Sequence, residues 1–267
     1  MKPTSQHVGF FFCLKENAHP LQLGARYLKG FLMTTHTNSI ACPQCGKYFF
    51  FTTHKTIDLS KNPELKAKAQ SGALFTLHCP HCHHQAVTPD GFVYLDPESR
   101  ILVHCAVTPD HIKETLEKIH EEPALSLPAD TDEMVKSALC EKPETYTIRV
   151  VTSLPDFQEK VAIWEAGFDD RVMELVKMMF ASQVRAQGVT FDHVFFVKGQ
   201  TTKPHAIQFF DSNTGKSQGL WLNAQTLNVY HALEKQFNLL LTQHARDVVV
   251  NSQWAIELIN EMSQKTN

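Results

Sequence analysis

Four of the seven cysteines stand in two matched units, Cys42-Pro43-Gln44-Cys45 and Cys79-Pro80-His81-Cys82. A Cys-x-x-Cys turn points both sulfurs the same way and lets backbone N–H groups donate to the thiolates. Two such turns supply the four tetrahedral ligands of a structural zinc ion. Cys42, Cys45, Cys79 and Cys82 are therefore the candidate metal ligands, with zinc as the expected cofactor. Other chemistries use the same residues. Two disulfides suit an oxidising compartment, but the short apolar run at residues 8–14 lacks the cleavage site of a secretory segment. A redox Cys-x-x-Cys needs one pair at a helix start, and an iron–sulfur cluster also accepts four cysteines. Zinc with four thiolates has no open position for a substrate, so the expected chemistry is folding coupled to metal binding.

The surroundings of the two units differ. Gly46 follows the first unit, where such turns often need a positive φ, and His83 takes that place in the second, an uncommon occupant. His78, His81, His83 and His84 crowd the second unit as rival ligands, yet four thiolates already complete a tetrahedron. Cys13, Cys105 and Cys140 are scattered and read as bystanders.

The cysteines need elements to bring them together across the 33 residues between Cys45 and Cys79. That loop exceeds the roughly 15 to 20 residues of a common zinc ribbon. Closure entropy grows slowly with length, so the longer loop remains compatible with a site. Residues 47–53 read as a strand. Residues 62–71 read as a helix, with Asn62 as cap, Pro63 at the first helical position and Gly72 as stop, and residues 73–78 return as a strand. Residues 33–120 thus read as a zinc-ribbon-like β domain with an inserted helix.

Charge marks the next boundary. Residues 121–145 hold Lys136 and Lys142 against seven carboxylates, a net of −5 in a chain whose total is −3, and carry Pro123, Pro128 and Pro143. Such a stretch reads as a solvated connector, with a short helix from Thr131 to Leu139 allowed. Residues 1–32 read as an arm or a frame extension ahead of a start at Met33, and no apolar stretch approaches the length that spans a bilayer.

Several of these segments resemble the bacterial CpXC domain. They are Ile40 through Gly46, Asn62 to Lys66, Leu74-Phe75, the second cysteine unit, and Tyr94 to Arg100. Tyr146 to Val151 and Glu159-Lys160 through Phe168-Asp169-Asp170-Arg171 to Lys177 also look like the region that follows. The resemblance implies a zinc-binding domain in proteins of largely undetermined function, and His83 departs from the glycine usual at its place.

Residues 146–267 read as a C-terminal α+β domain: a strand at 146–151, helices at 153–165 and from Asp169-Asp170, strands at 190–198, 204–210 and 218–222, then helices at 223–241 and 252–264 with a short strand at 247–250 between them. Ser153 and Asp156 have capping-box spacing.

The whole chain is α+β, and its function classes can be weighed. It has no His-Glu-x-x-His, no phosphate loop and no dinucleotide fingerprint. Asp169 and Asp170 with His193 or His205 are the raw material of an alternative, a hydrolase working in the C-terminal domain. A second alternative is single-stranded nucleic-acid binding, through residues 49–51 with Lys47, Lys55, Lys61, Lys66 and Lys68. The near-neutral balance of residues 33–120 argues against it. The reading that fits most residues is a cytoplasmic zinc protein that acts as a binding or scaffold module for a protein partner, with no membrane and with no catalytic residues assigned.

Overall fold

In the computed structural model of the 267-residue chain, residues 35–87, 91–127, 131–200 and 203–266 are described. The expectations for residues 1–32, for Cys13 and for a start at Met33 lie outside these residues.

The chain opens with a hairpin, β1 (Thr35–Ala41) against β2 (Tyr48–His54), whose loop is the first cysteine unit. A three-residue strand β3 (Thr56–Asp58) follows, then α1 (Leu65–Gln70), a 3-10 turn at Ala73–Phe75, and a second hairpin of β4 (Thr76–His78) and β5 (Gln85–Val87) around the second unit. The helix begins two residues later than Asn62 as cap predicts. The stretch before it is spent on a turn in which Lys61 and Asn62 donate backbone N–H groups to the Asp58 carbonyl, and the Asp58 side chain accepts from Ser60. Gly72 ends the helix as expected, with φ +77, where the left-handed region favours glycine.

Next come β6 (Phe92–Asp96), β7 (Ile101–Cys105), α2 (Pro109–Glu121), a 3-10 turn at Pro123–Ser126, α3 (Glu133–Glu141) and β8 (Thr147–Val151). Strands β3, β6, β7 and β8 form one mixed sheet in that order: β3 is parallel to β6, β7 antiparallel to β6, and β8 parallel to β7. Period-2 alternation divides its faces. Ile57, Phe92, Tyr94, Val103 and Val151 meet α1 and the later helix α4 (Leu154–Glu165), while Leu95, Leu102, Ile148 and Val150 meet Ile119 of α2 and Leu139 of α3.

Within the acidic segment 121–145, α3 packs Leu139 against the sheet. A parallel β7–β8 pair requires a crossover, and α2 together with this segment supplies it. Leu139 is 1% exposed while the carboxylates of Glu121, Glu122, Asp132, Glu133, Glu141 and Glu144 face solvent. The short helix allowed in the segment forms, capped by Asp132 rather than Thr131.

Beyond α4, helix α5 (Asp170–Ala186) leads into an antiparallel sheet of β9 (His193–Val197), β10 (Ala206–Asp211) and β11 (Lys216–Trp221), with β10 central. Helices α6 (Ala224–Gln243) and α7 (Ser252–Thr266) pack with α5 around Phe196, Ile207, Phe237, Leu240 and Trp254. The strand expected at 247–250 does not form; Val248 instead offers its carbonyl to the Val150 N–H at 2.8 Å. The mixed α+β class stands. No helix among the described residues is long and apolar enough to cross a membrane.

Candidate metal centre

Each cysteine unit is the turn of a hairpin, which fixes both thiols of a pair near one point. In the first, Gly46 donates its N–H to the Cys42 carbonyl at 2.8 Å and Cys42 donates to Lys47 at 2.9 Å. The second repeats the pattern: His83 donates to the Cys79 carbonyl at 3.0 Å and Cys79 donates to His84 at 2.9 Å. Gly46 has φ +69 and His83 φ +59, so the histidine occupies the left-handed conformation that its position demands.

The two hairpins bring all four sulfurs of Cys42, Cys45, Cys79 and Cys82 within 4.8 Å of one another. Cys42 Sγ lies 3.6 Å from Cys82 Sγ, and Cys45 Sγ lies 3.8 Å from Cys79 Sγ. The four thiols are free, and these separations are far from the ~2.05 Å of a disulfide. Four sulfurs at about 2.3 Å from a central ion stand about 3.8 Å apart in a tetrahedron, so the donor set fits a metal ion.

Electrostatics gives the same answer. Burial opposes ionisation of Cys79, yet the backbone N–H groups of His81 and Cys82 and the thiols of Cys42 and Cys82 outweigh it and lower this thiol to about 6. At Cys82 the backbone N–H of His84 favours the thiolate, but burial and the neighbouring sulfurs of Cys45, Cys42 and Cys79 prevail and push it up to about 12. The first negative charge forms readily and the next is resisted by it. Four thiolates here require a cation.

The surrounding histidines stay outside the cluster. His78, His81 and His83 are exposed, and the group of potential ligands contains the four cysteines alone among the described residues. Cys105 is buried in the sheet, its thiol pushed up to about 12 by burial and Asp156, and Cys140 donates to Glu122 on the surface.

The family model for the CpXC protein matches residues 40–177, more than half of the chain. The chain belongs to the CpXC family. The searches of curated proteins and of solved structures found no match. The span matched as CpXC runs from the first cysteine hairpin to Lys177 in α5, and so includes the whole four-stranded sheet.

The CpXC span also includes a group that sequence reasoning missed. Arg149 on β8 grips Asp170 through Nε and Nη2, both at 2.8 Å. Lys160 bridges Asp170 and Glu174 at 3.1 and 3.0 Å, and Lys177 bridges Glu174 and Glu159. Glu159 then accepts the backbone N–H of Phe196 on β9. All six side chains are buried, and their charges balance. Burial opposes ionisation of Asp170, but Lys160 and Arg149 hold it well below the usual carboxylate range. The available signal was charge inside apolar stripes: Glu159 and Lys160 sit between Phe157 and Val161, and Asp170, Glu174 and Lys177 recur at i, i+4, i+7.

This network decides where the hydrolase candidates stand. Asp170 is committed to Arg149 and Lys160, and Asp169 caps α5 while pairing with Arg171 at 2.7 Å. His193 stacks between Phe195 and Phe210 on the open sheet face, and His205 accepts the Gly199 N–H at 3.0 Å. No hydrogen bond joins either aspartate to either histidine among the described residues.

Proposed function

We propose that Cys42, Cys45, Cys79 and Cys82 hold one zinc ion and that this CpXC protein is a binding or scaffold module whose N-terminal hairpins fold with the metal. The observation that carries the reading is the convergence of four sulfurs, none more than 4.8 Å from another, from two hairpin turns. A closed thiolate tetrahedron serves architecture: it fastens β1–β2 to β4–β5, two small hairpins that are marginal alone. The surface so ordered is offered to a protein partner, in the cytoplasm where thiols stay reduced. Native mass spectrometry and elemental analysis test the centre. The wild-type chain should carry about one zinc, and a Cys79→Ser, Cys82→Ser variant none. Iron in place of zinc, or full metal retention in the variant, would refute it.

A second reading rests on a separate observation. Tyr48 and Phe50 project from β2 with 71% and 78% of their surface exposed, next to exposed Lys47. Exposed rings beside a cation can stack single-stranded bases. Salt-dependent binding to random-sequence single-stranded DNA, lost in a Tyr48→Ser, Phe50→Ser variant, would support it, and binding indifferent to salt would reject it.

A further inference from the structure

A cavity of about 260 Å³ lies between the sheet and helices α1 and α4, lined by none of the four clustered cysteines. Tyr94 lines it and is 1% exposed. Its ring is fixed in the core, 5.1 Å from that of Phe157, yet its hydroxyl has no hydrogen-bond partner among the described residues. The hydroxyl reaches the open space of the cavity, where a ligand can meet it.

The charges around that hydroxyl cancel. Asp96 accepts from Lys66 Nζ at 3.1 Å and from Ser99 through its N–H and Oγ. Glu165 accepts from Lys198 Nζ at 2.7 Å and lies 3.9 Å from Lys66 Nζ. Two carboxylates face two ammonium groups, so neither an anion nor a cation gains a net attraction. The same groups nevertheless present both donors and acceptors.

Apart from Thr147, the remaining lining is apolar. Trp164 and Phe168 contribute rings, and the Trp164 indole N–H is already directed to Asp170 at 3.4 Å, leaving ring surface for contact. A complementary ligand is neutral, carries hydroxyls that both donate and accept, and has a C–H face to lie on an aromatic ring. The volume falls below the roughly 300 Å³ at which drug-sized sites begin, which limits the ligand to about one ring. We infer that this cavity binds a monosaccharide-sized polyhydroxyl ring, oriented by the Tyr94 hydroxyl.

The site draws on both parts of the chain. Lys66, Tyr94, Asp96 and Ser99 come from the cysteine-bearing half, and Trp164, Glu165 and Phe168 from the region after β8. All lie in segments that carry the family resemblance or directly adjoin them.

The test titrates the full-length, metal-loaded chain with D-glucose, D-galactose and myo-inositol, with methylguanidine and acetate as charged comparators, read by ligand-observed NMR and indole fluorescence. At least one polyol should bind with Kd about 1 mM. Tyr94→Phe keeps the ring and should melt like the wild type while weakening binding about tenfold or more. Ser99→Ala, on an exposed turn, should also weaken binding, whereas Phe50→Ser on the hairpin should not. The inference fails if no polyol binds at about 50 mM. It fails equally if methylguanidine or acetate binds in place of the polyols, or if Tyr94→Phe binds as tightly as the wild type.

Discussion

Cys79 and Cys82 differ by environment rather than type, one thiol lowered to about 6 and the other raised to about 12. The ligand set was legible because spacing alone names it; the asymmetry was not, since it depends on which backbone N–H groups point inward. His83 shows the same limit. Its left-handed backbone was foreseeable from its place after the turn, and His83→Gly should stabilise the metal-loaded protein by up to about 1 kcal/mol in denaturant unfolding. The buried charges are a sharper case. Asp170→Asn leaves Arg149 and Lys160 short of a carboxylate, and the expected loss is about 3–5 kcal/mol by the same measurement. His104, 3% exposed with an unpartnered Nε2, is held neutral down to about pH 4 by burial, with His111 and Lys118 adding to the effect. An unfolded histidine titrates near 6.5, so between that value and about 4 the unfolded chain binds a proton that the folded chain refuses. Stability should fall across this window as pH drops, by about 3 kcal/mol from this residue, and a His104→Leu variant should show a shallower decline.

At the scale of elements, capping and alternation were the readable signals. The Ser153 hydroxyl accepts the Asp156 N–H and donates to its carboxylate, as the spacing predicted, and Ser153→Ala should cost about 1 kcal/mol in thermal or chemical unfolding. Asp169 caps α5 and Asn223 caps α6 in the same way. What sequence concealed were short elements whose existence depends on distant partners. Strand β3 has three residues and no pattern of its own; it exists because β6 offers an edge. The start of α1 moved because Asp58, at the end of β3, captured the residues meant for its first turn.

Across the segment where charge suggested a boundary, strand β8 pairs with β7. With β8 paired to β7 and Leu139 buried over the sheet, residues 146–267 expressed alone should lack a cooperative unfolding transition and gain one when residues 33–120 are supplied on the native chain. Independent folding of that fragment, by calorimetry, would restore a boundary at 121–145. The charge pattern was real, and α3 carries Glu133 and Glu141 outward while burying Leu139. The consequence reaches back to the metal. The 33 residues between Cys45 and Cys79 leave the hairpins, lay β3 along β6, and return. A chelator that frees the hairpins therefore also slackens both tethers of β3, an edge strand of the sheet. If β3 lifts away, the N–H and C=O groups of β6 stand bare, a template for pairing with other chains. Metal-starved protein should accordingly scatter light at concentrations where the loaded protein stays clear, with thiols still reduced, and restoring zinc before scattering begins should prevent it.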